Sequence, residues 1–251
     1  MRIQYCSDLH LEFERNNRYV TSNPLEVCGE ILILAGDIVP LHDEHMNSPF
    51  FHFIVENYEQ VYWVPGNHEY YYHDMAGYGS TMHKRIHPKI SVVNNTVIEY
   101  GGVPLIFSTM WSKISPEKEK LIEQQMADFD CISYKNKKLR ASDFNRLHEE
   151  SVQFLNKAIY GQKRPFVVVT HHLPSPLCSS RIHQISPINE AFCTDLTDLV
   201  RESNASFWIY GHSHHNTKPV QIGHTILLTN QLGYVDLNEH GAFRRDAYLS
   251  V

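Results

Sequence analysis

The chain has 251 residues, of which 42% are hydrophobic and 20% are charged, and its formal net charge is −6. This composition is ordinary for a globular protein, and the length fits one large domain or two small ones. An acidic chain without a block of Lys or Arg is not expected to bind nucleic acid stably through its phosphates. The unusual count is that of histidine, 17 residues, which is more than a hydrophobic core requires.

The cysteines and the apolar runs predict the cellular location of the protein. Five cysteines, an odd number with no C-x-x-C pair, indicate free thiols and a reducing, cytoplasmic location. The first predicted strand begins within two residues of Met1, so we expect no signal peptide. No apolar run approaches the ~18 residues of a membrane span, so we expect no membrane association.

Five apolar runs rich in β-branched and aromatic residues predict buried strands. In chain order they cover residues 2–6, 31–36, 61–64, 166–170 and 206–211. Side chains of the kinds that bind metal ions lie directly beyond these runs. They are Asp8, His10, Asp37, Asn67, His68, Glu69, His171, His172, His212 and His214. Because open α/β sheets bind ligands beyond the carboxyl ends of their strands, we expect these side chains to meet at one site.

The segments between the first three strands predict one loop and one helix. Residues 14–24 are polar and irregular, which is typical of a surface loop. Ser48-Pro49 predicts the start of a helix that reaches about residue 60. Together with its flanking strands this helix forms a β-α-β unit, whose strands should be parallel. A further helix is predicted to follow Asp74 and to reach about residue 86.

The second half of the chain predicts a change from parallel to antiparallel pairing. Short strands are predicted at residues 90–93, 96–100 and 103–108, and Gly101-Gly102 predicts a two-residue hairpin turn. Residues 109–141 interrupt the pattern and predict an insertion near the mouth of the site, with a charged helix over residues 115–126. Later helices are predicted at residues 142–161 and 194–202, and strands at 219–222, 225–229 and 242–251. No linker divides the chain, so we expect a single domain over residues 1–251.

The order of the polar motifs resembles that of a known family. The motifs are Asp8-x-His10, Gly36-Asp37, Gly66-Asn67-His68-Glu69, His171-His172 and Gly211-His212-x-His214. Together they resemble the motif set of the calcineurin-like metallophosphoesterases, and each follows a predicted strand. The resemblance implies an α/β fold, a four-layer α/β/β/α sandwich with two mixed β-sheets. It also implies a dinuclear metal centre at the edge of the sheets.

The resemblance assigns the ligands to two ions. Asp8, His10 and His214 would hold the first ion, Asn67, His171 and His212 would hold the second, and Asp37 would bridge both together with a hydroxide. Mixed nitrogen and oxygen ligands suit divalent or mixed-valence Mn, Fe, Zn or Co. The bridging hydroxide would attack phosphorus, and His68 would act as the general acid that protonates the leaving alkoxide.

The implied function is that of a metal-dependent phosphoesterase with a small phosphorylated substrate. The substrate would be a phosphomonoester or a phosphodiester, a cyclic nucleotide included, because the presence of His68 leaves both open. The alternatives are a nuclease of the same superfamily and a non-catalytic metal-binding scaffold. The acidic charge argues against the nuclease, and the complete ligand set argues against the scaffold.

Two departures from the family pattern concern residues around the metals. Protein phosphatases of this superfamily follow Gly-Asp with a second Asp and an Arg, whereas this chain continues with Ile38, Val39 and Pro40. A Ser/Thr protein phosphatase is therefore disfavoured, and Asp43 or Glu69 would have to orient His68. The candidates for substrate contact are Tyr70, Tyr71, Tyr72, Arg181, His183 and His215. The guanidinium of Arg181 could clasp a phosphoryl group with two hydrogen bonds, although an exposed loop arginine is the alternative.

Overall fold

The apolar runs of the sequence form the inner strands of two six-stranded sheets in the computed structural model, which describes residues 1–41 and 47–251. The first sheet contains, from edge to edge, β14 (Tyr248–Ser250), β1 (Arg2–Cys6), β2 (Ile31–Leu34), β3 (Gln60–Trp63), β5 (Ile90–Asn94) and β4 (Met82–His87). The second contains β12 (Val220–Ile222), β13 (Thr225–Thr229), β11 (Phe207–Tyr210), β10 (Val167–Thr170), β7 (Val103–Ser108) and β6 (Thr96–Tyr100). A small hairpin is formed by β8 (Ser133–Tyr134) and β9 (Lys137–Lys138).

Both sheets are mixed, with parallel strands inside and antiparallel strands at the edges. In the first sheet β1, β2, β3 and β5 are parallel, and β14 and β4 pair antiparallel at the two edges. In the second sheet β13, β11, β10 and β7 are parallel, and β12 and β6 pair antiparallel. The carboxyl ends of the parallel strands are therefore available to form one site.

The sheets pack face to face, and helices cover their outer faces. The α-helices of the described residues are α1 (Glu14–Ser22), α2 (Pro49–Asn57), α3 (Glu119–Gln125), α4 (Asp128–Cys131), α5 (Ala141–Tyr160), α6 (Arg181–Gln184) and α7 (Thr197–Ser203). Because strand side chains alternate between faces, Ile31 and Ile33 pack between the sheets, whereas Leu32 and Leu34 pack beneath α1 and α2. On the second sheet, α5 and α7 cover the outward residue Val168. The predicted four-layer sandwich is confirmed.

Two of the sequence-based predictions of secondary structure are wrong. Residues 14–24 are not a loop, because α1 occupies most of them and buries Asn16 and Val20 on one face. The Asn16 amide donates hydrogen bonds to the carbonyls of Leu9 and Gly233, so tertiary contacts stabilise a helix whose apolar face is very narrow. The segment after Asp74 forms a single 3₁₀ turn, Met75–Tyr78, and then the edge strand β4 instead of a helix.

The predicted hairpin is confirmed, and the segment predicted to be an insertion packs on the first sheet. Gly101 and Gly102 have φ of 57° and 82°, the left-handed conformations that a two-residue turn between β6 and β7 requires. Within residues 109–141, the side chains of Ile122, Phe129 and Ile132 join the core beneath the helices of that sheet. The predicted final strand is shorter, because residues 235–242 form 3₁₀ turns before β14. No described helix has both the length and the apolarity to cross a membrane.

Candidate metal centre

Five of the polar residues that follow the strands adopt a strained backbone conformation. The φ angles of Asp8, His10, Asp37, His212 and His214 lie between 47° and 73°, in the left-handed region. This conformation costs a non-glycine residue about 1–3 kcal/mol and persists only where the surroundings enforce it. Strain at five such positions indicates that the backbone holds these side chains in directions that a function requires.

The first group of side chains consists of Asp8, His10, Asp37 and His214, whose ligand-type atoms converge. The Nε2 atoms of His10 and His214 face each other at 2.9 Å. The Nε2 atom of His214 is 3.5 Å from Oδ1 of Asp8, and that of His10 is 3.9 Å from Oδ2 of Asp37. Nitrogen and carboxylate atoms that point at one another across such distances form a cage for a cation.

The second group consists of Asn67, Asp37, His171 and His212. The Nε2 atom of His171 lies 3.2 Å from Oδ1 of Asn67, 3.2 Å from Nδ1 of His212 and 3.4 Å from Oδ1 of Asp37. Asp37 thus presents one carboxylate oxygen to each group. A carboxylate can bridge two cations in this way, because its two oxygens face different directions.

The outer ring nitrogens of the imidazoles show that these donors suit metal ions. The Nδ1 atoms of His10, His171 and His214 face Oε1 of Glu12, the Ala35 carbonyl and Oε2 of Glu239 at 3.3, 2.8 and 2.7 Å. The Nε2 atom of His212 faces the Ala191 carbonyl at 3.4 Å. Each acceptor holds the proton on the outer nitrogen, which leaves the inner nitrogen with a free lone pair. Mixed nitrogen and oxygen donors of this kind fit first-row transition metals.

Three glycines allow the strand-end loops to approach the ligands closely. A Cβ atom on Gly36 would lie 2.2 Å from Nδ1 of His171, and one on Gly66 would lie 2.2 Å from Oδ1 of Asp37. A Cβ atom on Gly211 would lie 2.7 Å from Oδ2 of Asp8. Any side chain at these positions would therefore displace a ligand.

His68 lies beside the two groups and is held by a carboxylate that sequence reasoning missed. Its Nδ1 atom is 2.8 Å from Oε1 of Glu12, its backbone N–H donates to Asp37, and its ring stacks on Tyr71 with centroids 4.1 Å apart. Burial alone would lower the pKa of His68, but the charges of Asp37 and Glu12 and the hydrogen bond to Glu12 raise it to about 9. Burial opposes ionisation of Glu12, yet hydrogen bonds from His10 and His68 lower its pKa to about 2.

Glu69 does not orient His68, so that prediction is wrong. Its carboxylate accepts hydrogen bonds from the backbone N–H groups of Asp37, Ile38 and Gly66 and from the Trp63 indole. Glu69 therefore fixes the loops that carry Asp37 and Asn67. Burial and the nearby charge of Asp37 raise the pKa of Glu69 to about 7. The other candidate, Asp43, lies outside the described residues.

The residues singled out for substrate contact occupy different places. Tyr70 is 1% exposed and packs against Trp111, as a core residue does, whereas Tyr72 is 74% exposed. Tyr71 and His183 line a cavity of about 380 Å³ beside the metal ligands. Arg181 is exposed on α6 and is not among the residues that line this cavity. His215 contacts His183, with ring centroids 6.1 Å apart.

Three carboxylates at the site were not predicted from the sequence, and only one of them lies next to a motif that could have indicated it. Glu12 follows His10 by two residues, the same spacing that separates Asp8 from His10. Asp128 lies in the insertion and accepts hydrogen bonds from the Asn67 amide and the Tyr71 hydroxyl. Glu239 lies in the C-terminal segment. No pattern near Asp128 or Glu239 marks them, because their partners are distant in sequence.

Comparison with known proteins identifies the family of the chain and agrees with its fold. Residues 1–216 match the family model of the calcineurin-like phosphoesterases, and the chain belongs to this family, as the motifs predicted. One relative is the uncharacterized protein L509 of Acanthamoeba polyphaga mimivirus. The two chains are 31% identical over an alignment of 281 positions, which covers 100% of this chain and 97% of the relative. The structure of phosphopantetheinyl hydrolase from Mycobacterium tuberculosis has the same fold, with a TM-score of 0.72 and 17% identity over 98% of this chain and 95% of that one.

Proposed function

We propose that this protein is a metal-dependent phosphoesterase that hydrolyses a small phosphomonoester or phosphodiester. The observation that carries this proposal is the pair of donor groups that share Asp37, with their inner nitrogens and oxygens directed at two common points. Asp8, His10 and His214 would hold one ion, and Asn67, His171 and His212 would hold the other. Two divalent ions, of Mn, Fe, Zn or Co, would supply a nucleophile at neutral pH and neutralise charge on the phosphoryl oxygens.

The chain itself supplies the proton for the leaving group. The Nδ1 atom of His68 faces Glu12, so the Nε2 atom, which lies 3.5 Å from the Tyr234 hydroxyl, is the one that would protonate a leaving alkoxide. A positioned general acid contributes typically 10²–10⁴-fold to the rate. The carboxylate of Glu12 holds the imidazole in one orientation, and the ring of Tyr71 supports its face.

The contacts of Asn67 prepare the second ligand group. Its amide nitrogen donates to Asp128 over 2.8 Å, which directs its oxygen towards His171. The carboxylate of Asp128 is itself fixed by the hydroxyl of Tyr71 at 2.7 Å. The insertion thus contributes to the orientation of a ligand as well as to the wall of the cavity.

A turnover screen tests the proposal. Protein loaded with Mn would be assayed with phosphomonoesters, phosphodiesters, cyclic nucleotides and, because one structural neighbour is a phosphopantetheinyl hydrolase, esters of phosphopantetheine. At least one class should be hydrolysed, Asp37→Asn should abolish the activity, and Asp130→Asn, at an exposed carboxylate of the insertion, should retain it. A protein that binds two ions but hydrolyses no ester would be a scaffold. Faster cleavage of oligonucleotides than of small esters would indicate a nuclease.

A further inference from the structure

The cavity beside the candidate metal centre has an unusual charge distribution for a site that binds phosphoesters. Among the described residues that line it, none is Lys or Arg. The acidic residues of its lining are Asp37, Asp128 and Glu239. Beyond the two ions and the imidazole of His68, which the proposed function assigns to the leaving group, the described lining has no cationic side chain that would neutralise a second phosphate or a carboxylate of a substrate.

The wall is apolar next to the ligands. The ring of Phe192 stacks on His212 with centroids 4.7 Å apart, and the ring of Tyr234 meets His214 edge-on at 4.5 Å. The insertion contributes Met126 and Ala127 to the lining, and the segment before Phe192 contributes Ile188. A volume of about 380 Å³ accommodates a phosphoryl group together with a small organic group.

The two outer carboxylates of the wall are already engaged by the protein. Glu239 accepts from the Tyr234 backbone N–H and faces Nδ1 of His214, each at 2.7 Å. Asp128 accepts from Asn67 and Tyr71. The protein's own donors thus engage one oxygen of each carboxylate, which weakens an ion pair with a cationic substrate, whereas both carboxylates still repel an anionic one.

We propose that this cavity selects phosphoesters whose organic group is uncharged and exposes apolar surface. Placing a second anionic group here would remove it from water without a partner and bring it near two carboxylates, which is costly. An apolar group would instead gain burial against Met126, Ile188 and Phe192. This inference rests on the proposed function, because it assumes that the phosphoryl group lies at the metal ligands.

The first test measures binding without turnover. Calorimetry with the Mn-loaded protein would compare benzylphosphonate with 4-carboxybenzylphosphonate and 4-(aminomethyl)benzylphosphonate, which carry a hydrogen, an anionic group and a cationic group at the position remote from phosphorus. We expect the neutral compound to bind at least about tenfold more tightly than the carboxylate, a difference of about 1.4 kcal/mol. A carboxylate or an amine that bound as tightly as the neutral compound would overturn the inference, and so would the absence of binding by all three.

The second test adds a cation to the wall. Ala127 is exposed at the start of α4, so Ala127→Lys should fold and should tighten binding of 4-carboxybenzylphosphonate by about tenfold. Gln124→Lys is the matched control, because Gln124 is exposed on the same insertion and lies outside the lining of this cavity. The affinities of the Gln124→Lys variant for these phosphonates should stay within about twofold of those of the unsubstituted protein. An equal gain in affinity in both variants would show that the net charge of the protein, and not a cation on this wall, determines how tightly 4-carboxybenzylphosphonate binds.

The corresponding phosphate esters separate this inference from the proposed function. Benzyl phosphate and 4-carboxybenzyl phosphate, or their methyl diesters, would be assayed for kcat/KM with the protein in its Mn-loaded form. Hydrolysis of both at equal rates would support the phosphoesterase and overturn the selectivity. Selective binding of the neutral phosphonate without hydrolysis of any ester would support the cavity and overturn the enzyme.

Discussion

The contact between Glu12 and His68 gives the sharpest prediction about how the site works. The Oε1 atom of Glu12 lies 2.8 Å from Nδ1 of His68, so we expect this carboxylate to orient the imidazole. Glu12→Gln keeps the shape of the side chain and removes its charge. Glu12→Ala removes the contact entirely.

The expected losses follow from the strength of this hydrogen bond. A hydrogen bond to a charged group contributes about 1.5–3 kcal/mol, and a neutral one contributes about 0.5–1.5 kcal/mol. Glu12→Gln should therefore lower kcat/KM for an alkyl phosphoester by about tenfold, and Glu12→Ala by about a hundredfold. For a 4-nitrophenyl ester, whose leaving group needs little protonation, both losses should be much smaller.

The assay must separate orientation of His68 from support of the metals. Glu12 is also 3.3 Å from Nδ1 of His10, so the metal content of each variant would be measured by elemental analysis. Glu14→Gln is a matched control, because Glu14 is an exposed carboxylate that pairs with Arg18 on the surface of α1. Equal losses on alkyl and nitrophenyl esters, or losses that follow the loss of metal, would refute the positioning role of Glu12.

Four further predictions concern single residues. Protein saturated with Mn should contain about two ions per chain by elemental analysis, and Asp37→Asn should contain fewer; a single ion in the original protein would contradict the bridge. His68→Ala should keep both ions and lose about 10²–10⁴-fold on alkyl esters, with a smaller loss on nitrophenyl esters. Glu69→Ala should lower the free energy of unfolding by at least about 3 kcal/mol in urea titrations, because three buried backbone N–H groups lose their acceptor. Arg181→Ala should change kcat/KM by less than about twofold, since Arg181 lies outside the cavity lining.

The strands and the convergence of their polar ends could be predicted because both depend on local patterns. A run such as Ile31–Leu34 is apolar at every position, which indicates a strand buried on both faces. Parallel strands place their carboxyl ends at one edge of each sheet, and the packing of the two sheets brings Asp37 and His171 together although 134 positions separate their numbers. The order of the motifs then indicated the family to which the chain belongs, and the family model confirms this prediction.

What could not be predicted depends on contacts between distant segments. The helix α1 has Val20 as its only buried apolar residue, and the burial of Asn16 depends on acceptors at Leu9 and Gly233. Glu69 adjoins His68 in sequence, but the 3₁₀ turn His68–Tyr70 directs the two side chains to different partners. Adjacent position is therefore a poor guide to which carboxylate orients a histidine.

The strained ligands explain why so many buried polar contacts surround this site. The left-handed conformations of Asp8 and Asp37 are held by bonds from the backbone, including Asp8 N–H to the Gly36 carbonyl at 2.9 Å and Asp37 N–H to Glu69 at 2.9 Å. The carboxylate of Asp8 in turn accepts from the backbone N–H of His212 at 3.0 Å, which links the strand ends of the two sheets. Each ligand loop is thus fixed by atoms of another loop. Contacts within the protein therefore hold the donors in this arrangement, and a ligand set that is held in place lowers the cost of binding.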